Sequence, residues 1–322
     1  MNRKAAAAGL TATETHRHMA GMNALEPIAA GRAAPHPAPF EVRRARREEE
    51  PAPTPLVFAS PHSGRLYPDD MMAAAALDAH AIRRSEDAFV DELIESASRH
   101  GAAVISANFA RAYIDVNREA FELDQAMFAD ELPDFARART ARVAAGLGAI
   151  ARVVSEGQEI YARKLTFAEA RRRIEQVHAP YHAALARLLG EAHAAHGYAI
   201  LIDWHSMPAA AARAGGRDGP CDMVLGDRFG ASCAAMVTQA VERELQAFGY
   251  RVARNAPYAG GYTTEHYGRP NRRTHALQIE INRALYMDED TYGRRPQFAS
   301  VEAHLGELIA HLATLDLKEL SR

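Results

Sequence analysis

The stretch Ala199-Ile200-Leu201-Ile202-Asp203-Trp204-His205-Ser206-Met207-Pro208 decides how this 322-residue chain reads. An unbroken apolar run between Gly197 and Pro208 is the pattern of a strand buried on both faces, as in a parallel sheet. The run then ends on an aspartate and an imidazole. A second stretch, Leu56-Val57-Phe58-Ala59-Ser60-Pro61-His62-Ser63-Gly64, closes on the same His-Ser pair. In open α/β sheets, ligands bind outside the carboxyl ends of the strands. Neutral imidazole is the commonest side-chain ligand for zinc. Two strand-end histidines far apart in one chain therefore point to a metal site.

Helical periods separate these strands. A helical region is expected over residues 69–100, broken near 77–85, with Ser85 as N-cap and Gly101 as terminator. A long helix is expected over 167–196, where Ile174, Val177, Tyr181, Leu185 and Leu188 share one face. Further helices are expected at 229–248 and 297–315. Further strands are expected at 102–107, 112–116, 223–225, 250–254 and 275–281. Single apolar strands alternating with helices argue for a mostly parallel sheet covered on both faces. Residues 1–52, rich in Ala, Pro and Arg, read as a disordered tail that cannot offset its ordering entropy. Residues 53–322 read as one catalytic domain.

Composition narrows the function classes. The formal net charge is -3, so no nucleic-acid or acidic-membrane partner is expected. No apolar run approaches the roughly 18–20 residues that cross a bilayer. Two cysteines, Cys221 and Cys233, are too few for a disulfide scaffold or a Cys-rich zinc site, and a reducing, cytoplasmic setting is expected. No Gly-x-Ser-x-Gly elbow accompanies the His-Ser pairs, which argues against a serine hydrolase.

A catalytic zinc usually takes three protein ligands. The residues leave the third open among Glu86, Asp87, Asp115 and Asp203. In Gln278-Ile279-Glu280-Ile281-Asn282-Arg283, strand alternation puts Gln278, Glu280 and Asn282 on one face. A carboxylate there could serve as general base and then general acid. Arg111, Arg118 and Arg283 could clamp carboxylates bidentately. The loop over residues 256–268 reads as a flap hinged at Gly260 and Gly261, with Tyr262 and His266 reaching substrate.

Taken in order, Ser60-Pro61-His62-Ser63-Gly64, Glu86-Asp87-Ala88-Phe89-Val90-Asp91-Glu92-Leu93, Asp115-Val116-Asn117-Arg118, the Asp203–Pro208 strand end, Asn255-Ala256-Pro257-Tyr258-Ala259-Gly260-Gly261-Tyr262 and residues 278–283 resemble the N-formylglutamate amidohydrolase family. That family is distantly similar to zinc carboxypeptidases. The resemblance implies a three-layer α/β/α sandwich of the phosphorylase/hydrolase kind, with a mostly parallel mixed sheet. It implies one Zn2+ held by His62, His205 and an acidic residue. Carboxypeptidases carry that acidic ligand three residues after the first His, where this chain has Arg65, so the role passes to Asp87 with Glu86 as its alternative. It further implies Glu280 and Arg118 as catalytic residues, and Arg111, Asn117, Arg283, Tyr262 and His266 as contacts to an N-acyl amino acid. The implied reaction hydrolyses N-formyl-L-glutamate, or a related N-acyl amino acid, to an acid and a free amino acid, in histidine degradation. A carboxypeptidase-like peptide hydrolase and a non-catalytic binding protein of the same fold are the competing readings.

Overall fold

The computed structural model describes residues 37–44, 52–136, 138–154, 157–215 and 219–321. Within them a seven-stranded mixed sheet runs in the order β1-β3-β2-β4-β7-β5-β6. The strands are β1 Phe40–Arg43, β2 Leu56–Ser60, β3 Ala103–Ala107, β4 Ala199–Met207, β5 Met223–Gly226, β6 Val252–Arg254 and β7 Thr274–Asn282. The β3-β2-β4-β7 core is parallel, β1 is antiparallel to β3, and β5 is antiparallel to β7.

Helices cover both faces, so the expected three-layer α/β/α sandwich is the observed one. On one face, α2 Val90–Leu93, α7 Ala235–Ala247 and α9 Phe298–Thr314 pack with Phe58, Ile200, Ile202, Trp204, Leu277 and Ile279. On the other, α5 Ala179–His196 lays Tyr181, Leu185 and Leu188 on Val57, Ala59, Leu201 and Ala276. The outlying helices are α1 Asp69–Ala74, α3 Ala141–Ala144, α4 Phe167–Arg173, α6 Ala209–Gly215 and α8 Tyr262–Tyr267.

The α5 layer explains where the site lies. Its apolar contacts fall on the early parts of β2, β4 and β7. Beyond them the same face of β4 and β7 carries Asp203, His205, Gln278 and Glu280, because side chains alternate along a strand. The β4–β7 register sets His205 opposite Glu280. The polar face is thus not a solvent-washed one: every residue of β4 is buried, and only Thr274 of β7 is not.

Four expectations are corrected. Phe40–Arg43, placed in the tail, forms the edge strand β1, and Phe40 packs edge-on against Tyr181 with ring centroids 6.2 Å apart. Four residues beside a charge run carry too little periodicity to be read as a strand. Most of the remaining tail, residues 1–36 and 45–51, lies outside the described residues. Residues 112–116 are not a strand. They turn, with Tyr113 and Ile114 N–H both bonding Ala110 O; Ala112, Tyr113 and Ile114 enter a satellite core around Phe109 and Ile160, and Val116 enters the core under α5. The region 69–100 is a series of short pieces, and Ser85 ends a 3₁₀ turn rather than capping a helix. Phe89, at φ 65°, starts α2 from the left-handed region, which breaks any longer helix. The helix expected from 229 begins at Ala235, since Arg228 and Phe229 both take positive φ. The long helix over 167–196 is present, opened by a Thr166–Glu169 capping box and passing through one π-turn at Ile174–His178.

Leu308 on α9 is fully buried against the sheet. Leu308→Ala should lower unfolding free energy by about 2–5 kcal/mol through lost burial and the cavity left behind. Denaturant titration followed by fluorescence of Trp204, the chain's one tryptophan, checks this.

Candidate active site

His62 follows β2 in a turn whose geometry needs Gly64. A Cβ there would sit 2.2 Å from Phe109 O. The turn is tied forward by Asp87 N–H, which donates to His62 O at 3.0 Å. That bond brings the segment before α2 beneath the strand ends. His205 arrives from β4. The three side chains converge: Asp87 Oδ2 is 3.0 Å from His205 Nδ1 and 3.5 Å from His62 Nδ1, and the two rings lie 4.6 Å apart. One donor atom from each of the three lies within 4.8 Å of the others, and all three residues are buried. Glu86 takes no part. Its carboxylate accepts from Arg83 Nε at 2.9 Å and Tyr67 OH at 3.0 Å.

The outer nitrogens are held by further carboxylates. His62 Nε2 is 2.7 Å from Asp115 Oδ1, and His205 Nε2 is 3.1 Å from Asp203 Oδ2. With protons on those outer nitrogens, both Nδ1 atoms would be free to offer lone pairs to a metal ion beside Asp87. This carboxylate–imidazole pairing is the usual support of a metal-ligating histidine. Asp115 is itself fixed by Arg111 Nη2 at 2.7 Å and by Asn117 N–H at 2.8 Å. Asp87 is fixed by Arg283 Nη2 at 2.9 Å.

The residues fit a cation. His62 Nδ1 is buried without a hydrogen-bond partner among the described residues, an arrangement that costs free energy unless something fills it. Two imidazoles and a carboxylate are the donor set that zinc accepts. Carboxylates also face both imidazoles. Burial opposes charge on His205, yet Asp203 and Asp87 hold its pKa well above the ordinary value. Carboxylates that favour a proton on His205 favour a metal ion there for the same electrostatic reason.

Glu280 lies beside this centre. Gln278 Nε2 donates to its Oε1 at 2.7 Å, and Gln278 Oε1 accepts from Gly261 N–H at 2.8 Å. Burial, opposed by His205 and reinforced by Asp87, lifts its pKa to about 7. Asn117 joins three segments. Its Oδ1 accepts from Thr263 N–H at 2.8 Å and its Nδ2 donates to Asp203 Oδ2 at 3.5 Å, with His205 Nε2 lying 3.0 Å from that same Nδ2. Gly261 packs on that amide so closely that a Cβ would meet Asn117 Nδ2 at 2.5 Å. The diglycine is therefore pinned at Gly261 between Asn117 and Gln278, where a hinge was expected.

A cavity of about 640 Å³ opens over these groups and is lined by Arg118, Arg142 and Tyr258 as well as by the converging triad. Arg118 Nε donates to Leu147 O at 2.9 Å and Nη1 to Asn117 O at 2.8 Å. Arg283 also lines the cavity, but its three nitrogens bond Ser206 Oγ, Arg84 O and Asp87. Tyr262 and His266 do not line it. They stack on each other with centroids 5.1 Å apart, and Tyr262 packs edge-on against His182. Tyr258, four residues before Tyr262 in the same loop, takes the place expected of them, and nothing in the spacing distinguishes the two tyrosines.

Sequence reasoning also missed His178 and His182. The end of the π-turn and the first turn of α5 bring them to the 115–118 loop: His178 Nε2 lies 2.9 Å from Arg118 O, and His182 Nε2 lies 2.8 Å from Val116 O. Burial and the neighbouring His178 lower the His182 pKa from 6.5 to about 3. The unfolded chain therefore binds the proton more readily between those values. The stability this group contributes is complete above pH 6.5 and is lost as pH falls toward 3. Unfolding free energy should drop by up to about 1.4 kcal/mol per pH unit on its account, and His182→Gln should show a shallower slope between pH 7 and 5 in urea titrations.

Residues 54–287 match the family model described as N-formylglutamate amidohydrolase. The chain belongs to that family. As a member it is a hydrolase of carbon–nitrogen bonds. It is 30% identical over 238 residues to the N-formylglutamate deformylase of Pseudomonas putida, a match covering 73% of this chain and 82% of that one. The Pseudomonas aeruginosa N-formylglutamate deformylase matches equally, at 30% identity. The crystal structure of N-formylglutamate amidohydrolase from Ralstonia eutropha JMP134 superposes with a TM-score of 0.80 at 39% identity, covering 86% of this chain and 97% of that one. A gene product of Agrobacterium tumefaciens, at 17% identity and TM-score 0.57, shares the fold. No helix among the described residues is long and apolar enough to cross a membrane.

Proposed function

We propose that the chain hydrolyses N-formyl-L-glutamate to formate and L-glutamate, with one zinc ion held by His62, Asp87 and His205. The observation that carries this reading is the convergence of those three side chains at the ends of β2 and β4, beside the buried Glu280. The deformylases of Pseudomonas support the substrate. An ion in that donor set supplies a Lewis acid for the formyl oxygen and acidifies a water molecule.

The chain's own residues do the rest. Glu280 takes a proton from the attacking water as its oxygen bonds the formyl carbon. It returns that proton to the leaving nitrogen as the C–N bond breaks. A carboxyl lifted toward neutrality suits both halves of that exchange, because its affinity for the proton is closer to that of its partners. Gln278 holds Glu280 in place through a 2.7 Å bond. Asp115, Asp203, Arg111 and Arg283 orient the triad through the ion pairs and hydrogen bonds described above. Arg118 presents a cation to the carboxylate end of the substrate. The two cysteines are buried and unpaired, in keeping with a reducing, cytoplasmic setting.

The test is turnover of a panel of N-formyl amino acids, other N-acyl amino acids and short peptides, with metal analysis of the purified protein. Formate release from N-formyl-L-glutamate with about one zinc per chain is expected. Cleavage of peptides with N-formyl-L-glutamate untouched would replace this reading by a peptidase. No turnover and no bound metal would leave a binding protein.

A further inference from the structure

The arginines around the cavity are not equivalent. Arg111 is paired with Asp115 at 2.7 Å and Arg283 with Asp87 at 2.9 Å, so their charges are matched inside the protein. Among the described residues Arg118 bonds only main-chain carbonyls. Arg142, half-buried on α3, makes no hydrogen bond or ion pair among the described residues, yet it lines the cavity.

The backbone that carries Arg142 is firmly placed. Thr140 caps α3 by accepting from Val143 N–H at 3.1 Å, and Thr140 Oγ1 in turn donates to the buried Glu122 carboxylate. Leu147 N–H donates to Arg142 O at 2.8 Å, and Leu147 O accepts from Arg118 Nε at 2.9 Å. The two arginines therefore rest on one short scaffold. Holding two like charges on one cavity wall is unfavourable unless an anion joins them. Burial and the charges of Arg111 and Arg142 already lower the pKa of Arg118, against the pull of Asp115. The guanidinium fork is the group best suited to a carboxylate.

We propose that Arg142 is a specificity-determining residue which, with Arg118, receives the side-chain carboxylate of an acidic N-acyl amino acid. This rests on the formylglutamate reading for its substrate, though not for its anion site. A charge-assisted pair of this kind distinguishes a carboxylate from a carboxamide by about 10–100-fold.

The experiment compares kcat/KM for N-formyl-L-glutamate and N-formyl-L-glutamine in the wild-type zinc-loaded enzyme, Arg142→Gln and Arg142→Lys. Product binding by L-glutamate and L-glutamine is measured on the same proteins by calorimetry. The wild type should prefer the acid. Arg142→Gln should lose about 10–100-fold on the acid and less than about 3-fold on the amide, with weaker L-glutamate binding, and Arg142→Lys should recover part of the preference. An unchanged acid-to-amide ratio in Arg142→Gln, or equal loss on both substrates, would overturn the assignment. If the wild type hydrolyses neither compound, the formylglutamate reading fails. The Arg142 site is then judged by calorimetry alone, and L-glutamate binding unaltered by Arg142→Gln overturns it.

Discussion

His205→Ala should abolish both metal retention and hydrolysis. His205 offers Nδ1 to the shared position beside Asp87 and His62, and it is 3% exposed. Removing one of three ligands leaves two, too few for the usual zinc site. The several kcal/mol that a metal contributes to an acyl transition state correspond to a loss of about 1,000-fold or more. Zinc content after dialysis should fall from about one per chain to near zero. The substitution also strips Asp87 and Asp203 of a buried partner, which costs about 3–5 kcal/mol of stability. His205→Asn, which keeps a polar group in the space, is the companion variant. Full activity in either, with the fold intact by circular dichroism, would remove His205 from the site.

Glu280→Gln should separate chemistry from metal binding. Its carboxyl is outside the triad and is held by Gln278, so zinc content should stay near that of the wild type. Turnover should drop by about 10²–10⁴-fold, the usual worth of a positioned general base. The pH profile gives a second readout. A base must be ionised, so wild-type kcat/KM should rise with pH as Glu280 loses its proton. Its pKa is lifted to about 7 without a cation, chiefly by burial. A bound cation would take the place of the charge on His205 and pull at least as strongly, so the acid limb should lie at or below that value. Residual activity of Glu280→Gln should lack that limb. A variant that loses zinc and turnover together would instead make Glu280 part of the metal centre.

The architecture was legible because its strands are unbroken apolar runs. Ile200, Leu201 and Ile202 can sit only between two covered faces, and the helix over 167–196 has a clear period and a capping box. The two histidines were legible for the same reason, since a polar group at the end of a buried strand stands out. Period-free segments hid the rest. Ala112, Tyr113 and Ile114 are apolar because they fill a satellite core, which mimics a strand. Phe40–Arg43 is too short to show alternation. Asp87 could not be chosen over Glu86 by spacing. The choice depends on Arg83 and Tyr67 drawing Glu86 away, and on Arg283 reaching Asp87 from 196 positions along the chain. Arg142 gave no signal, because an arginine in a four-residue helix resembles any solvated surface cation.

Asn117 has a thermodynamic consequence. One side chain touches Thr263 N–H at the start of α8, just after the loop that carries Tyr258, and lies against Nε2 of His205. Loop order and ligand orientation are therefore not independent. If a substrate that settles the loop raises zinc affinity by some factor, zinc must raise substrate affinity by the same factor, because the two routes around the cycle share their end states. Asn117→Ala should uncouple them: each would still bind, but neither would report on the other.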